Sequence, residues 1–432
     1  SLAGFAVLIA LCFDAVTDPL AGSISDRFRS RWGRRHPFMY ASAVPLAVTF
    51  YLLFTPPGGL GQWGLCAWLS VFAVLVRGSM TLYHVPHLAL GAELSDDYHE
   101  RTGIVGYRTI FGLLGGVSTA TLGFFYFFRA TPQFAQGTQN PEAYPAFALF
   151  FGAAMLLTIL YSAAGTHSRI PTLRKPPPDP VPFSFRRLYQ EMSGALSNPS
   201  FRALFIGVVI FFVMRGVQLT LGLHMNIHFW ALDSRLIGWL ILTILAGVVL
   251  GVPFWTRASR GLDKKPTFLI GVGVFTTLVF LPPLLKIAGL WPPIEQFGLY
   301  FGLLAGMGFV AAFGAAGALV TAGSMMADIT DEQELVTGVR QEGILFGALA
   351  FAGKSASGIG HQVAGFGIDL IGFPTNAVPG EVPLDIIRNL GILYGPGLLV
   401  LGLISFVFLA RYRLDHKRVA EIQEELGRPR AA

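Results

Sequence analysis

Apolar runs of about 20 residues recur along the chain, each closed by a short polar segment rich in Gly, Pro and Arg. As a helix, a run of that length crosses the ~30 Å hydrocarbon layer of a bilayer. Helices also satisfy their own backbone groups where water is absent. The pattern predicts eleven spans, over residues 2–22, 38–56, 64–89, 104–128, 146–166, 201–226, 236–256, 266–289, 296–323, 341–372 and 386–411.

Composition agrees with that reading: 53% of the 432 residues are hydrophobic and 13% charged, against roughly a quarter charged in soluble domains. A soluble fold is excluded, and the class is an all-α membrane protein. The net charge of +6 comes from basic residues gathered on alternate loops, as membrane topology requires, so it gives no support to nucleic-acid binding. Cys12 and Cys66 fall inside apolar runs and read as small core residues, not as a disulfide framework.

The loop after the first span carries Arg27, Arg29, Arg31, Arg34 and Arg35, while residues 57–63 carry no Lys or Arg. The first loop is therefore expected in the cytoplasm. Alternation then places the 167–200 segment, the Arg257–Lys265 loop and the tail from Arg411 on the same side. An odd number of spans with a cytoplasmic C-terminus puts Ser1 outside, which leads us to expect one further helix ahead of this sequence and twelve in all. Pro176, Pro177, Pro178 and Pro180 mark the longest polar break. The expected organisation is an N-terminal bundle over 1–166, a cytoplasmic linker over 167–200, a C-terminal six-helix bundle over 201–411 and a tail over 412–432. The loops Arg27–Phe38 and Arg257–Phe268 share basic pairs ahead of a helix-starting Pro. Such a parallel repeat is the plan of major facilitator transporters.

Within the first span, Asp14 and Asp18 stand four residues apart and share one helix face. Counted back from Arg27 they lie roughly 20 Å and 14 Å into the bilayer at 1.5 Å per residue. Carboxylates at that depth must face a protein interior or a water-filled cavity and be matched by a cation, a proton or a basic partner. Two hard oxygen donors suit Na⁺ or Li⁺, and protonation is a second route to coupling. Lys354 lies about 21 Å along its helix from Arg340, level with Asp14, and is a candidate competitor with the entering cation. Arg77 and Arg215 also fall within spans, where each lines the cavity or, for Arg77, reaches outward to the interface. Arg108 reads equally as an interfacial anchor. His84 and His87, and His224 and His228, lack the adjoining acid or thiol that would complete a zinc site. Phe229 and Trp230 read as an interfacial belt.

The segment Asp14-Ala-Val-Thr-Asp18-Pro19, with Ser25-Asp26-Arg27 and Gly33-Arg34-Arg35-His36-Pro37 after it, resembles the glycoside-pentoside-hexuronide:cation symporter family. Met326-Ala-Asp328-Ile-Thr-Asp331, Gly338-Val-Arg340-Gln-Glu342 and Lys354 continue the resemblance, which covers essentially the whole chain. It implies a major facilitator fold of two six-helix bundles, here without the first helix, working by alternating access in a plasma membrane such as the bacterial inner membrane. It also implies a cation site of Asp14, Thr17, Asp18 and Thr81 for Na⁺, Li⁺ or H⁺, and Lys354 as the coupling residue. A cytoplasmic gate of Asp26, Arg27, Asp328, Asp331 and Arg340 follows from it, as does a sugar contact at Arg108. No cofactor or metal is implied, and the expected state is a monomer in the lipid bilayer with a small-molecule substrate and a monovalent cation.

The sugar site departs from the family pattern. His84 stands where the family's galactoside carriers have an acid, and Leu88 and Leu319 where they have aromatic platforms. Tyr83-His84-Val85-Pro86 is closer to the sodium-lysolipid symporter branch, and the two leucines suit an apolar cargo. The expected substrate is a sugar or glycoside, with a lysolipid or other amphiphile as the alternative. Two further readings are a metal-dependent membrane transferase, suggested by the acids at 14, 18 and 26 on one helix, and a transporter-like scaffold.

Overall fold

The computed structural model describes residues 2–94, 98–134, 136–173, 194, 196–338, 342–375 and 377–427. Among them every regular element is helical. They are α1 (Leu2–Arg27), α2 (His36–Leu53), α3 (Gln62–Glu93), α4 (Tyr98–Leu122), α5 (Ala143–His167), α6 (Pro199–His224), α7 (Ser234–Leu262), α8 (Lys264–Ile287), α9 (Phe297–Thr337), α10 (Glu342–Leu370), α11 (Leu384–Ile392), α12 (Leu398–Ala410) and α13 (His416–Glu425). Wider π turns continue α4 over Gly123–Phe127 and α6 over Met225–Phe229, and a third, Leu393–Gly397, joins α11 to α12. Every predicted span is met by a helix. Ten spans among the described residues are long and apolar enough to cross a membrane, the last being Leu384–Ala410.

The chain forms two compact units, one of Ser1–Ser184 with Asp233–Arg235 and the other of Phe185–Leu232 with Leu236–Ala432. In the first, α3 packs along both α1 and α2, and α2 packs on α5. Met39, Ala43 and Leu46 of α2 are buried with Leu90 of α3 and with Ile159 and Ala163 of α5. In the second unit α6 packs on α10 and α12, and α8 on α9.

Lipid is as apolar as a leucine side chain, so membrane helices associate by close packing at small residues. A Cβ on Gly216 of α6 would collide with the Ser357 carbonyl of α10, and one on Gly360 with the Val213 carbonyl of α6. On Gly271 of α8 it would sit 2.6 Å from the Gly314 oxygen of α9. At the α7–α9 contact, Trp255 Nε1 donates to the Phe313 carbonyl at 2.8 Å.

Helix starts follow the local chemistry. Asn198 Oδ1 accepts from the Ser200 and Phe201 amides at 2.8 and 3.0 Å, with Pro199 at the first helical position of α6.

One expectation is corrected at the basic-loop end of the second unit. The ninth span was expected to stop at residue 323, yet α9 runs 41 residues to Thr337, about 62 Å at 1.5 Å per residue. Its polar end, with Asp328 and Asp331, stays helical beyond the bilayer thickness until Gly338 at φ +71° caps it. The tail over 412–432 contains α13. Asp415 caps it by accepting from the Arg418 amide at 2.8 Å. Val419 and Ile422, three apart on one face, join a buried cluster with Met325, Met326 and Ile329 of α9 and Phe268 of α8.

Candidate cation and substrate sites

α1 and α3 bring two pairs of side chains together, each pair spaced i, i+4 on its helix. From α1 come Asp14 and Asp18, and from α3 come Arg77 and Thr81. Asp14 Oδ2 accepts from an Arg77 guanidinium nitrogen at 3.1 Å. Thr81 Oγ1 lies 3.0 Å from Asp14 Oδ1 and 2.8 Å from Asp18 Oδ1. Asp14 and Thr81 are 6% and 3% exposed, so the constellation is closed on the Asp14 side, while Asp18 is half-buried. Arg77 stands 15 residues from Gln62 and 16 from Glu93, the middle of α3. There its charge is turned to Asp14 instead of reaching for an interface.

Two pieces of arithmetic define what this site can do. A hydroxyl carries one proton, so Thr81 can give one full hydrogen bond to Asp14 or to Asp18, or share a weaker three-centre bond between them. A proton on a carboxyl group or a metal cation between the oxygens satisfies both contacts fully. The charges of Asp14, Asp18 and Arg77 sum to −1, and one monovalent cation or one proton neutralises them. Asp14 and Asp18 have further interactions besides these, and charge left uncompensated in a membrane segment is expensive.

Thr17, expected among the cation ligands, directs its hydroxyl to the Asp14 backbone carbonyl at 3.3 Å. Lys354 is half-buried on α10 in the second unit, and Arg77 supplies the described ion pair of Asp14. Of the expected gate residues, Arg340 and the side chains of Asp26 and Arg27 lie outside the described residues. Asp328 takes Lys264 of α8 as its partner, with Nζ 2.8 Å from both carboxylate oxygens. Asp331 accepts from Gln423 of α13 at 3.5 Å. Neither Lys264 nor Gln423 was read as a partner, since one lay in a basic loop and the other in a tail.

Of the expected substrate residues, His84 and Arg108 are exposed, Leu88 is half-buried and Leu319 is 68% exposed on α9. His87, one turn on from His84, is the histidine that meets Tyr83 and Ser162, both at 3.4 Å from its Nδ1. Arg215 donates to Gln218 Oε1, and its guanidinium lies 5.3 Å from the centre of the Phe275 ring. His228 packs edge-on against Phe373. Among the described residues no group of three or more His, Cys, Asp or Glu could hold a metal ion.

Phe229 and Trp230 form more than a belt. Lys286 Nζ lies 4.8 Å from the Phe229 ring, 5.0 Å from Trp230 and 5.2 Å from Tyr300. It donates to the Phe229 carbonyl and, at 2.8 Å, to the Tyr300 hydroxyl. A lysine satisfied by rings and oxygens on three elements fastens them together.

A family model described as MFS/sugar transport protein matches residues 1–416. The chain belongs to this family. Within it, the glycoside-pentoside-hexuronide:cation symporter group is the one its relatives support. The isoprimeverose transporter of Lactiplantibacillus pentosus is 24% identical, over 98% of this chain and 84% of its own length. The sodium-dependent lysophosphatidylcholine symporter 1 of Gallus gallus is also 24% identical, over 98% of this chain and 81% of its own. Among solved structures, the inward-open xylose transporter XylE from E. coli matches with a TM-score of 0.58 at 16% identity, covering 98% of this chain and 89% of that one. That likeness establishes the major facilitator fold. The MFS/sugar transport protein family consists of multi-pass membrane transporters, and the transferase reading falls with that assignment.

Proposed function

We propose that this chain is a cation-coupled symporter in which Asp14, Asp18 and Thr81 hold one monovalent cation or one proton per transport cycle. The observation that carries the reading is the Thr81 hydroxyl set 3.0 and 2.8 Å from two carboxylate oxygens with a single proton to give. Arg77 pairs with Asp14, and the coupling ion binds at the carboxylate oxygens that Thr81 spans. Na⁺ suits the three hard oxygens, and Li⁺ or H⁺ meets the same charge requirement. Lys354, a second membrane-embedded base, takes part in coupling from the other unit. The two units work by alternating access with the arginine-rich loops in the cytoplasm, and Lys264–Asp328 belongs to the cytoplasmic gate.

The substrate is a sugar or glycoside, in keeping with the isoprimeverose transporter among the relatives. An amphiphile is the second reading, favoured by Leu88 and the exposed Leu319 and by the lysophosphatidylcholine symporter.

The test is uptake of labelled glycosides and lysolipids into proteoliposomes under imposed Na⁺, Li⁺ and H⁺ gradients. Wild-type protein should concentrate one substrate class in response to one of these gradients, and Asp18→Asn should abolish that response. Undiminished gradient-driven accumulation by Asp18→Asn would sink the proposal.

A further inference from the structure

The second unit contains a charge that the coupling site does not use. Arg215 lies on the Pro199–Phe229 span, 16 residues from one end and 14 from the other, so about 21–24 Å of helix separates it from either boundary. Snorkelling does not reach that far. Its five N–H donors meet one described acceptor, the neutral Gln218 Oε1. The ring of Phe275 from α8 lies at its side, and Tyr394 of the α11–α12 turn faces the same Gln218. Among the described residues no carboxylate pairs with Arg215.

The other basic residues with described partners in the membrane segments are handled differently. Arg77 is neutralised by Asp14. Lys264 is held by both oxygens of Asp328. Lys286 is enclosed by three rings and two oxygens. Among the described residues, Arg215 is a permanently charged planar fork whose described neighbours are neutral, and Gln218 is its one described acceptor. A guanidinium presents paired donors that match the oxygens of a carboxylate or phosphate. An intramembrane charge without a protein counter-ion is stable only when water or a ligand supplies the balance.

We infer that Arg215, flanked by Gln218, Tyr394 and Phe275, is a binding site for an anionic oxygen group, a carboxylate or phosphate, on the transported molecule. The guanidinium takes the anion, Gln218 and the Tyr394 hydroxyl remain at its edge for neighbouring polar groups, and Phe275 keeps the fork in plane. The inference deepens the symport reading by assigning charge to its substrate, and it rests on that reading for the identity of ligand and cargo.

Two matched probe pairs test it on the purified full chain by ligand-induced thermal stabilisation: glucuronate against glucose, and palmitoyl-lysophosphatidate against monopalmitoylglycerol. The pairs separate a sugar acid from a lipid phosphate as the source of the anion. In at least one pair the anionic member should half-saturate at a concentration about tenfold or more below its neutral partner, the scale of one charge-assisted fork. Arg215→Gln should erase that preference while leaving the stabilisation by Na⁺ or Li⁺ intact, which also reports that the variant is folded. If Arg215→Gln does not fold, Arg215→Lys takes its place: it keeps the charge, loses the fork, and should weaken anionic binding severalfold. Neutral probes as effective as anionic ones, no stabilisation by either anion, or an unchanged preference in the variant would each overturn the inference. Anion preference without any cation response would instead uphold Arg215 and remove the symport reading.

Discussion

Replacing Thr81 by Val tests the coupling site with the smallest change of shape. Valine keeps the β-branched outline, so packing between α1 and α3 is preserved, and only the hydroxyl that lies 3.0 and 2.8 Å from the two carboxylates is lost. That oxygen is 3% exposed as part of its residue, so water does not readily replace it. A hydrogen bond or ion contact made to a charged group in such a place is worth about 1.5–3 kcal/mol, which corresponds to about 10- to 150-fold in cation affinity. The assay is the cation concentration that half-saturates thermal stabilisation of the purified protein, repeated for Na⁺ and Li⁺. Thr81→Val should raise it into that range, and Thr81→Ser, which retains the hydroxyl, should stay within a few-fold of wild type. Substrate affinity measured at saturating cation should change little. A Val variant with wild-type cation dependence would refute the assignment of Thr81 as a ligand and the proton-counting argument built on it.

Two further predictions concern the packing that holds the sites. Gly360→Leu places a side chain against the Val213 carbonyl where even a Cβ does not fit, and overpacking of this kind costs about 1–3 kcal/mol or more; a loss of folded yield and a lower melting temperature should follow, and wild-type values would contradict the close α6–α10 approach. Ile422→Asp puts a charge into the buried cluster against Met325, Met326 and Ile329, which should undock α13, seen as new proteolytic cleavage after Arg418; unchanged protection would show that the helix does not depend on this contact.

The spans were legible because the bilayer imposes a length on apolar runs: each of the eleven runs is met by a helix, and ten spans among the described residues are long and apolar enough to cross a membrane. The end of the ninth was not, since leaving the apolar layer is a change of solvent and not of backbone: Asp328, Asp331 and Glu334 continue α9 as readily as the residues before them. α13 escaped because Val419 and Ile422 make a short amphipathic face inside a polar tail, and such a face declares itself only when a partner is known. The acids Asp14 and Asp18 stood out at once from depth alone. The described basic partner of Asp14 did not, for counting along a helix gives height and not direction; Lys354 was matched in height, and the i, i+4 spacing of Arg77 and Thr81 on a neighbouring helix carried the signal for the pairing. Thr17 donates its hydroxyl to its own helix backbone, a detail that counting along a helix does not give.

Equilibrium binding of radiolabelled Na⁺ to the purified protein reads out the proposed site for one monovalent cation between α1 and α3. One saturable Na⁺ per chain is expected, displaced by Li⁺ and by lowering the pH, and absent from Asp18→Asn. Saturable binding that survives intact in Asp18→Asn, or none in the wild type together with insensitivity to Li⁺ and pH, would contradict it.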